Sequence, residues 1–172
     1  MPGKGSVDFA SDLGLLASDV VLVHLTDIRS RELDLVAASG APVVLCPRSN
    51  LFIELKLPPL TEILSAGVKP ALGTDSLASN LSLDLLAEAK ALGDRFPTVP
   101  KGVLTDMATI SGARALGRSD LGRLAKGFRP GVLAIEGELA RDEDPCGWVL
   151  RQPATRRRWI ARRGDRQRGA PA

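Results

Sequence analysis

An acidic residue at the end of a short apolar segment is the first candidate for chemistry in this sequence. The segment Pro70–Leu72 is apolar and stops at Gly73, and Asp75 follows in a polar stretch. A helical pattern begins soon afterwards, near Leu83. Asp75 is therefore predicted at a strand end before a helix, which in parallel β/α proteins is the edge where catalytic groups usually lie. The alternative is a turn residue or a helix cap, because Asp is common at both.

Three apolar runs are predicted as the strands that position this carboxylate: Val20–Leu25, Pro42–Leu45 and Lys69–Gly73. The first run is continuous, which is typical of a strand buried on both faces. Helical patterns separate and follow them, at Val7–Leu16, Ile28–Ser39, Leu60–Ala66, Leu83–Phe96 and Lys101–Leu116. This order predicts βα units with parallel strands. Three strands cannot close an eight-stranded barrel, so the sheet is either small and open or part of something larger.

The ends of these helices carry recognisable signals. Thr26 and Asp27 are predicted to cap the second helix, and Gly40 is predicted to end it. Gly112 is predicted to break the last helical segment into two pieces. Cys46–Asn50 is predicted as a polar loop after the second strand.

The C-terminal part of the chain has a different character. Val132–Ile135 is predicted as a strand and Trp148–Leu150 as a short last strand. From Pro153 the chain is rich in arginine, and we expect it to be frayed, or helical and solvated around Trp159. The alternative for this tail is contact with nucleic acid or an acidic partner.

Composition narrows the class of protein. The 172 residues are 44% hydrophobic and 25% charged, which is ordinary for a soluble globular chain. Aromatic residues make up only 3%, which argues against a base-stacking nucleic-acid surface. The net charge of +3 depends on the arginine-rich tail. No apolar run reaches the ~18 residues that span a bilayer. Cys46 and Cys146 lie far apart without metal-site spacing, and we expect a cytoplasmic protein with reduced thiols.

Four motifs occur in a characteristic order: CPRSN at 46–50, ALGTDSLASN at 71–80, MATISGARALG at 107–117 and LGRLAKG at 121–127. Together they resemble the C-terminal half of the metal-dependent amidohydrolase superfamily, in its deaminase and chlorohydrolase branch. The resemblance covers roughly residues 6–136.

The resemblance implies an α/β fold, the C-terminal part of a distorted TIM barrel with a remnant of the flanking β-sandwich. The strands that end at His24, near Pro47 and at Asp75 would be the sixth, seventh and eighth of the barrel. Residues 6–120 would be the partial barrel, 121–150 the segment that returns to the sandwich, and 151–172 the arginine-rich tail.

The resemblance also implies hydrolysis of a C–N or C–Cl bond in a small heterocyclic substrate. A divalent metal, zinc or else iron, would lower the pKa of a bound water. Asp75 would be both metal ligand and general base, and His24 a second catalytic group that polarises the substrate or water. His24 is alternatively a hydrogen-bonded core histidine, and Arg48 alternatively a solvated arginine. The implied substrate-binding residues are Arg48, Ser49, Asn50, Ser79 and Asn80, of which the last two would support the loop after Asp75.

The departures from the family pattern are equally informative. The chain has one histidine, whereas a catalytic zinc site needs about three protein ligands. Val21 occupies the position of the family's catalytic histidine if His24 aligns with a second, less essential one. We therefore expect a C-terminal fragment, inactive alone, that pairs with a separate N-terminal half or forms a homo-oligomer. The alternative is a non-catalytic half-barrel or binding module that oligomerises to cover its strand edges.

Overall fold

A computed structural model describes residues 3–161, which form two small sheets and the helices packed around them. The strands are β1 (Leu22–Val23), β2 (Val43–Leu45), β3 (Ala71–Leu72), β4 (Val132–Ile135) and β5 (Arg157–Ala161). The helices are α1 (Ser6–Asp12), α2 (Ser30–Ser39), α3 (Pro47–Glu54), α4 (Leu60–Ser65), α5 (Leu85–Arg95), α6 (Lys101–Met107), α7 (Ile110–Ala115) and α8 (Pro145–Arg151). No helix within this range has the length and apolar character needed to cross a lipid bilayer.

The first sheet is parallel and places its strands in chain order. Leu22 pairs with Val43 and Val44 pairs with Ala71, so β2 lies between β1 and β3. Strand, helix and strand alternate along this part of the chain, and the predicted α/β class with parallel strands is confirmed. All three strands therefore end at one edge of the sheet, called the carboxyl rim below.

The core lies between one face of this sheet and the helices. Its most deeply buried side chains include Leu45 of β2, Leu60 and Ile63 of α4, Leu92 of α5 and Leu104 of α6. β1 differs, because Val21 and Val23 remain 43% and 46% exposed. The prediction that this strand is buried on both faces is wrong, because Val21 and Val23 are two residues apart and so lie on the same, exposed face. β1 is also the edge of the sheet and pairs only with β2 within the described residues.

The ends of α2 illustrate one confirmed signal and one correction. Gly40 ends the helix in the left-handed conformation, with φ of 68°, as predicted. Thr26 and Asp27 do not cap it, because the helix begins at Ser30. The buried Glu32 carboxylate performs the capping instead, accepting hydrogen bonds from the backbone N–H groups of Arg29, Val7 and Asp8 at 2.9, 3.1 and 2.9 Å. Glu32 thereby joins the start of α2 to the start of α1.

Two further expectations about the middle of the chain are wrong. Cys46–Asn50 is not a loop, because Pro47 occupies the first turn of α3, where its missing N–H is tolerated. The break in the last helical segment falls at Ala108–Thr109, between α6 and α7, and not at Gly112. Thr109 has φ of −127° and ψ of −89°, which is incompatible with a continuous helix.

The C-terminal region also differs from expectation. Trp148–Leu150 lies in α8 and not in a strand, because Asp144 caps the helix by accepting from the Cys146 and Gly147 N–H groups at 3.1 and 2.9 Å.

The prediction of a frayed or helical tail is wrong for the residues up to Ala161, because β5 pairs antiparallel with β4. The Arg157 guanidinium contacts both carboxylate oxygens of Asp84 at 2.6 Å and holds this pair of strands against α5. The rest of the predicted tail, residues 162–172, lies outside the described residues.

Candidate active site

Asp75 lies just beyond β3 at the carboxyl rim, with its carboxylate fixed by three donors. Oδ2 accepts hydrogen bonds from the hydroxyl groups of Ser49 and Ser79 at 2.7 and 3.0 Å. Oδ1 accepts from the backbone N–H of Ser76 at 2.8 Å. The residue is exposed, and its φ of 56° is in the left-handed region that non-glycine residues seldom adopt. The carboxylate is thus oriented and still accessible.

These donors also set the acidity of Asp75. The Ser49 hydroxyl, followed by the Ser79 hydroxyl and the Ser76 N–H, lowers the pKa of Asp75, because each bond favours the charged form. A smaller lowering comes from the charge of His24. Asp75 is therefore ionised at neutral pH, a state that suits a cation ligand and a transient proton acceptor.

Gly73 allows the segment that carries Asp75 to lie close to β2. A Cβ atom at this position would lie 2.8 Å from Cγ1 of Val44 and 3.1 Å from Sγ of Cys46. A glycine at a strand end is typical of such a close approach between the backbone and its surroundings.

The start of α3 connects the ends of all three parallel strands. Ser49 reaches Asp75 after β3, and the Asn50 side-chain nitrogen lies 2.9 Å from Nδ1 of His24 after β1. Both side chains are buried, with exposures of 0% and 1%. The predicted pocket-lining residues are therefore brought together at the rim, but Ser49 and Asn50 point into the chain.

Glu88, on α5, is a site residue that the sequence analysis missed. Its side chain is fully buried and accepts from the backbone N–H of Arg48 at 2.8 Å and from Nδ2 of Asn80 at 2.6 Å. Burial raises the pKa of Glu88. The sequence did contain a signal for Glu88: it lies one helical turn from both Leu85 and Leu92, on the apolar face of a helix. An acidic side chain placed on such a face needs hydrogen-bond partners inside the protein.

The remaining predicted residues are held by the same contacts. Nδ2 of Asn80 also donates to the Thr74 carbonyl at 2.8 Å, and so braces the segment before Asp75. The Arg48 guanidinium donates to Oγ of Ser82 at 3.0 Å and lies 3.7 Å from Glu88, which leaves it partly exposed. We refer to these two adjacent hydrogen-bonded clusters together as the rim network; its members are Ser49, Asp75 and Ser79 in one cluster and Arg48, Asn80 and Glu88 in the other.

His24 lies at the same rim, two strands away from Asp75. It is partly buried, and its backbone N–H donates to the Val44 carbonyl at 2.9 Å. Its φ of 74° is again left-handed. His24 is therefore hydrogen-bonded, as the core-histidine alternative expected, and also located where the functional interpretation expected.

Burial also sets the protonation state of the Cys46 thiol, which lies close to Asp75. Burial, with a further contribution from the negative charge of Asp75, raises the pKa of Cys46 to about 11. The Cys46 side chain is consequently protonated and packs as an apolar group beneath the rim.

The donor groups of the described residues do not by themselves fit a zinc ion. No cluster of three or more His, Cys, Asp or Glu side chains that could hold a metal occurs in residues 3–161. Asp75 offers one ligand, Nδ1 of His24 is engaged by Asn50, and Cys46 is protonated. A tetrahedral catalytic site needs about three protein ligands.

A cleft of about 390 Å³ lies at the opposite end of the parallel strands, between Ala41, Lys69 and Arg114. It is separated from Asp75 by the length of the sheet.

Comparison with known proteins gives consistent results. A 5-methylthioadenosine/S-adenosylhomocysteine deaminase of Halobacterium salinarum is 38% identical over 141 residues, which cover 78% of this chain and 32% of that relative. An adenosine deaminase structure from Xanthomonas campestris, with bound zinc, is 30% identical to this chain and superposes with a TM-score of 0.72. The match covers 78% of this chain and 33% of the deaminase chain. An atrazine chlorohydrolase from Arthrobacter aurescens TC1, complexed with zinc, shares the fold, at 24% identity and a TM-score of 0.79 over 91% of this chain and 37% of its own.

The chain thus spans about a third of the length of the curated relatives that it matches. The numbering of β1, β2 and β3 as barrel strands six to eight stays a prediction, as do the domain boundaries. The model of the amidohydrolase family matches residues 3–155 of this chain. The matched residues include the rim network and the three parallel strands that support the network. The chain belongs to the amidohydrolase family.

Proposed function

We propose that this chain contributes Asp75 to a metal-dependent hydrolase that cleaves a C–N or C–Cl bond in a small heterocyclic compound, in the manner of a deaminase. The observation that carries the proposal is the exposed, ionised carboxylate at the carboxyl rim, oriented by Ser49 and Ser79. The relatives named as 5-methylthioadenosine/S-adenosylhomocysteine deaminases support this substrate class.

Asp75 would have two tasks in such a reaction. As an ionised group it would be one ligand of a cation, and it would accept a proton from the attacking water and pass it to the leaving amine. The lowered pKa of Asp75 favours its role as a cation ligand. It also means that Asp75 would hold a proton from the water only briefly before passing it on. The two serine hydroxyl groups would keep the carboxylate oriented through both protonation states.

Arg48 is the proposed substrate contact, because part of its guanidinium remains exposed. We assign Ser49, Ser79 and Asn80 to the support of Asp75, because they are buried and bonded within the rim network. His24 would present its ring to the substrate from the end of β1, two strands away from Asp75.

A catalytic metal would need ligands from polypeptide other than residues 3–161, because the described donors supply only Asp75. We therefore propose that the 172-residue chain alone binds zinc weakly and hydrolyses little or nothing. Isothermal titration of the chain with zinc at micromolar protein is expected to show no tight site. One tightly bound zinc per chain would contradict this part of the proposal.

The hydrolase proposal is tested with a chimera. In the Halobacterium salinarum relative, the region that matches this chain is replaced by this chain, and ammonia release from 5-methylthioadenosine is measured. We expect activity in the chimera and its loss on Asp75→Asn, while Asp94→Asn, an exposed carboxylate on α5, serves as the matched control. A folded chimera without activity, or one unaffected by Asp75→Asn, would contradict the proposal.

The second candidate is a non-catalytic half-barrel that associates with another copy of itself. The open edge of β1, with Val21 and Val23 partly exposed, favours this candidate. It predicts self-association of the chain without zinc or substrate.

A further inference from the structure

The contact between Asn50 and His24 joins the ends of two neighbouring strands. Asn50 lies in the first turns of α3, where its backbone N–H donates to the Cys46 carbonyl at 2.9 Å. Its side chain is 1% exposed, and its amide nitrogen lies 2.9 Å from Nδ1 of His24. A side chain so buried cannot readily reach a substrate. Its polar atoms must find partners inside the chain instead.

The hydrogen-bond donors and acceptors around the His24 imidazole indicate which ring nitrogen carries the proton. An amide nitrogen can only donate, so Nδ1 must accept, and the proton of the neutral imidazole must be on Nε2. The opposite amide orientation would place two N–H groups where Oδ1 now lies, and that buried oxygen has no hydrogen-bond partner in the described chain. An unpaired buried carbonyl is tolerated more readily than unpaired N–H groups. The contact therefore favours the Nε2–H tautomer.

The backbone holds the same residue in an uncommon conformation. His24 and Leu25 are both left-handed, with φ of 74° and 54°. Strain of this kind persists only where the surroundings hold it in place. The bond from the His24 N–H to Val44 restrains the main chain, and Asn50 restrains the ring.

We infer that Asn50 is a positioning residue, whose buried amide fixes the Nε2–H tautomer and the ring orientation of His24, and not a substrate contact. The ring then offers one N–H donor, so any group that His24 contacts at the rim must accept a hydrogen bond. A ring nitrogen or a carbonyl oxygen of a heterocycle meets this requirement. That last step rests on the proposed function, whereas the tautomer does not.

Nuclear magnetic resonance tests the inference directly, because His24 is the one histidine in the sequence. The full chain is labelled with ¹⁵N and ¹³C histidine and measured near pH 8, above the ordinary pKa of about 6.5 for histidine. We expect Nδ1 to have the chemical shift of an unprotonated ring nitrogen and Nε2 that of a protonated one, without averaging. This measurement needs neither metal nor substrate.

Two variants complete the test. Asn50→Asp replaces the donor with a carboxylate that only accepts, so the proton should move to Nδ1 and its chemical shift should change accordingly. Ser49→Ala alters the adjacent buried side chain, which contacts Asp75 and not the ring, and should keep the wild-type pattern. If Asn50→Asp does not fold, Asn50→Ala should instead give averaged shifts.

Three results would overturn the inference: protonated Nδ1 in the wild-type chain, shifts averaged as in a short peptide of the same sequence, or a folded Asn50→Asp variant with the wild-type pattern. An inactive chimera whose His24 keeps the Nε2–H tautomer would refute the proposed function and leave this inference intact.

Discussion

The low pKa of Asp75 depends on two hydroxyl groups from different parts of the chain. Ser79 is four residues away, in the same loop, whereas Ser49 comes from α3 on the neighbouring strand end. The oxygens of the two serines are also only 2.8 Å apart. Each hydroxyl has one proton, so donation of both to Asp75 leaves none to join the serines, and the ionised carboxylate is what both stabilise.

Ser49→Ala should raise the pKa of Asp75 toward its ordinary value, because the first of its donors is removed. A pH titration of the Asp75 carboxyl ¹³C shift measures this. Since a lowered pKa contributes stability above the pKa of the unfolded chain and loses it as pH falls through the folded pKa, the variant should also show a weaker loss of stability with acid. Ser82→Ala is the control, since Ser82 contacts Arg48, and an equal shift there would contradict the assignment.

At the scale of elements, the loops at the carboxyl rim are held by α3 and α5. α3 places Ser49 against Asp75, and α5 places the buried Glu88 carboxylate between the Arg48 N–H and the Asn80 amide. Gly73 permits the close approach of β3 to β2 beneath them. The orientation of Asp75 is therefore a property of packed helices and strands, and not of its own loop alone.

Gly73→Ala should lower the free energy of unfolding by about 1–3 kcal/mol, because the new methyl group would overlap Val44 and Cys46. Urea denaturation followed by circular dichroism measures it. The matched control is Gly102→Ala in α6, where nothing lies within 4 Å of the new methyl group. That variant should gain about 0.4–1 kcal/mol, because only the entropy of the unfolded chain changes. Equal effects of the two substitutions would show that the close approach is unimportant.

Glu88→Gln should lower the free energy of unfolding by about 1–3 kcal/mol. The NH₂ group of the new glutamine would have to face either the Arg48 N–H or the Asn80 amide N–H, and two donors cannot form a hydrogen bond with each other. Denaturation at several pH values separates this effect from charge. Because the pKa of Glu88 is raised, the wild-type chain should lose stability as pH rises from 4.5 through the folded pKa, and the variant should lack this decline.

The control for Glu88 is Asp94→Asn on the exposed side of the same helix, whose effect should stay within about 0.5 kcal/mol. A Glu88→Gln variant as stable as wild type at every pH would show that the carboxylate is not needed by the rim network.

At the scale of the whole molecule, the parallel sheet formed by residues 3–161 is open. β1 ends the sheet on one side and keeps Val21 and Val23 partly exposed. An edge strand with apolar side chains is a template for pairing with another chain. The relatives are about three times as long as the matched region, so they contain additional polypeptide that could cover such an edge.

Val23→Lys should reduce association of the chain, because a charged side chain at the edge opposes strand pairing. Sedimentation velocity over a range of protein concentrations measures the shift toward monomer. Leu124→Lys is the control, because Leu124 is 78% exposed and lies outside the strands. A wild-type chain that stays monomeric at all concentrations would argue against the half-barrel that associates with itself.

The three parallel strands in chain order, the end of α2 at Gly40 and the position of Asp75 at a strand end followed from the sequence by itself. Those features depend on local periodicity and on turn residues such as Gly40, whose effects act within a few residues. Tertiary structure decided the partners: Glu88 against Arg48, Asn50 against His24, and β5 against β4, where a frayed or helical arginine-rich tail was expected. These contacts join residues 22 to 40 positions apart, and no local pattern encodes them. They arise because buried polar groups must find partners wherever the packed elements place them.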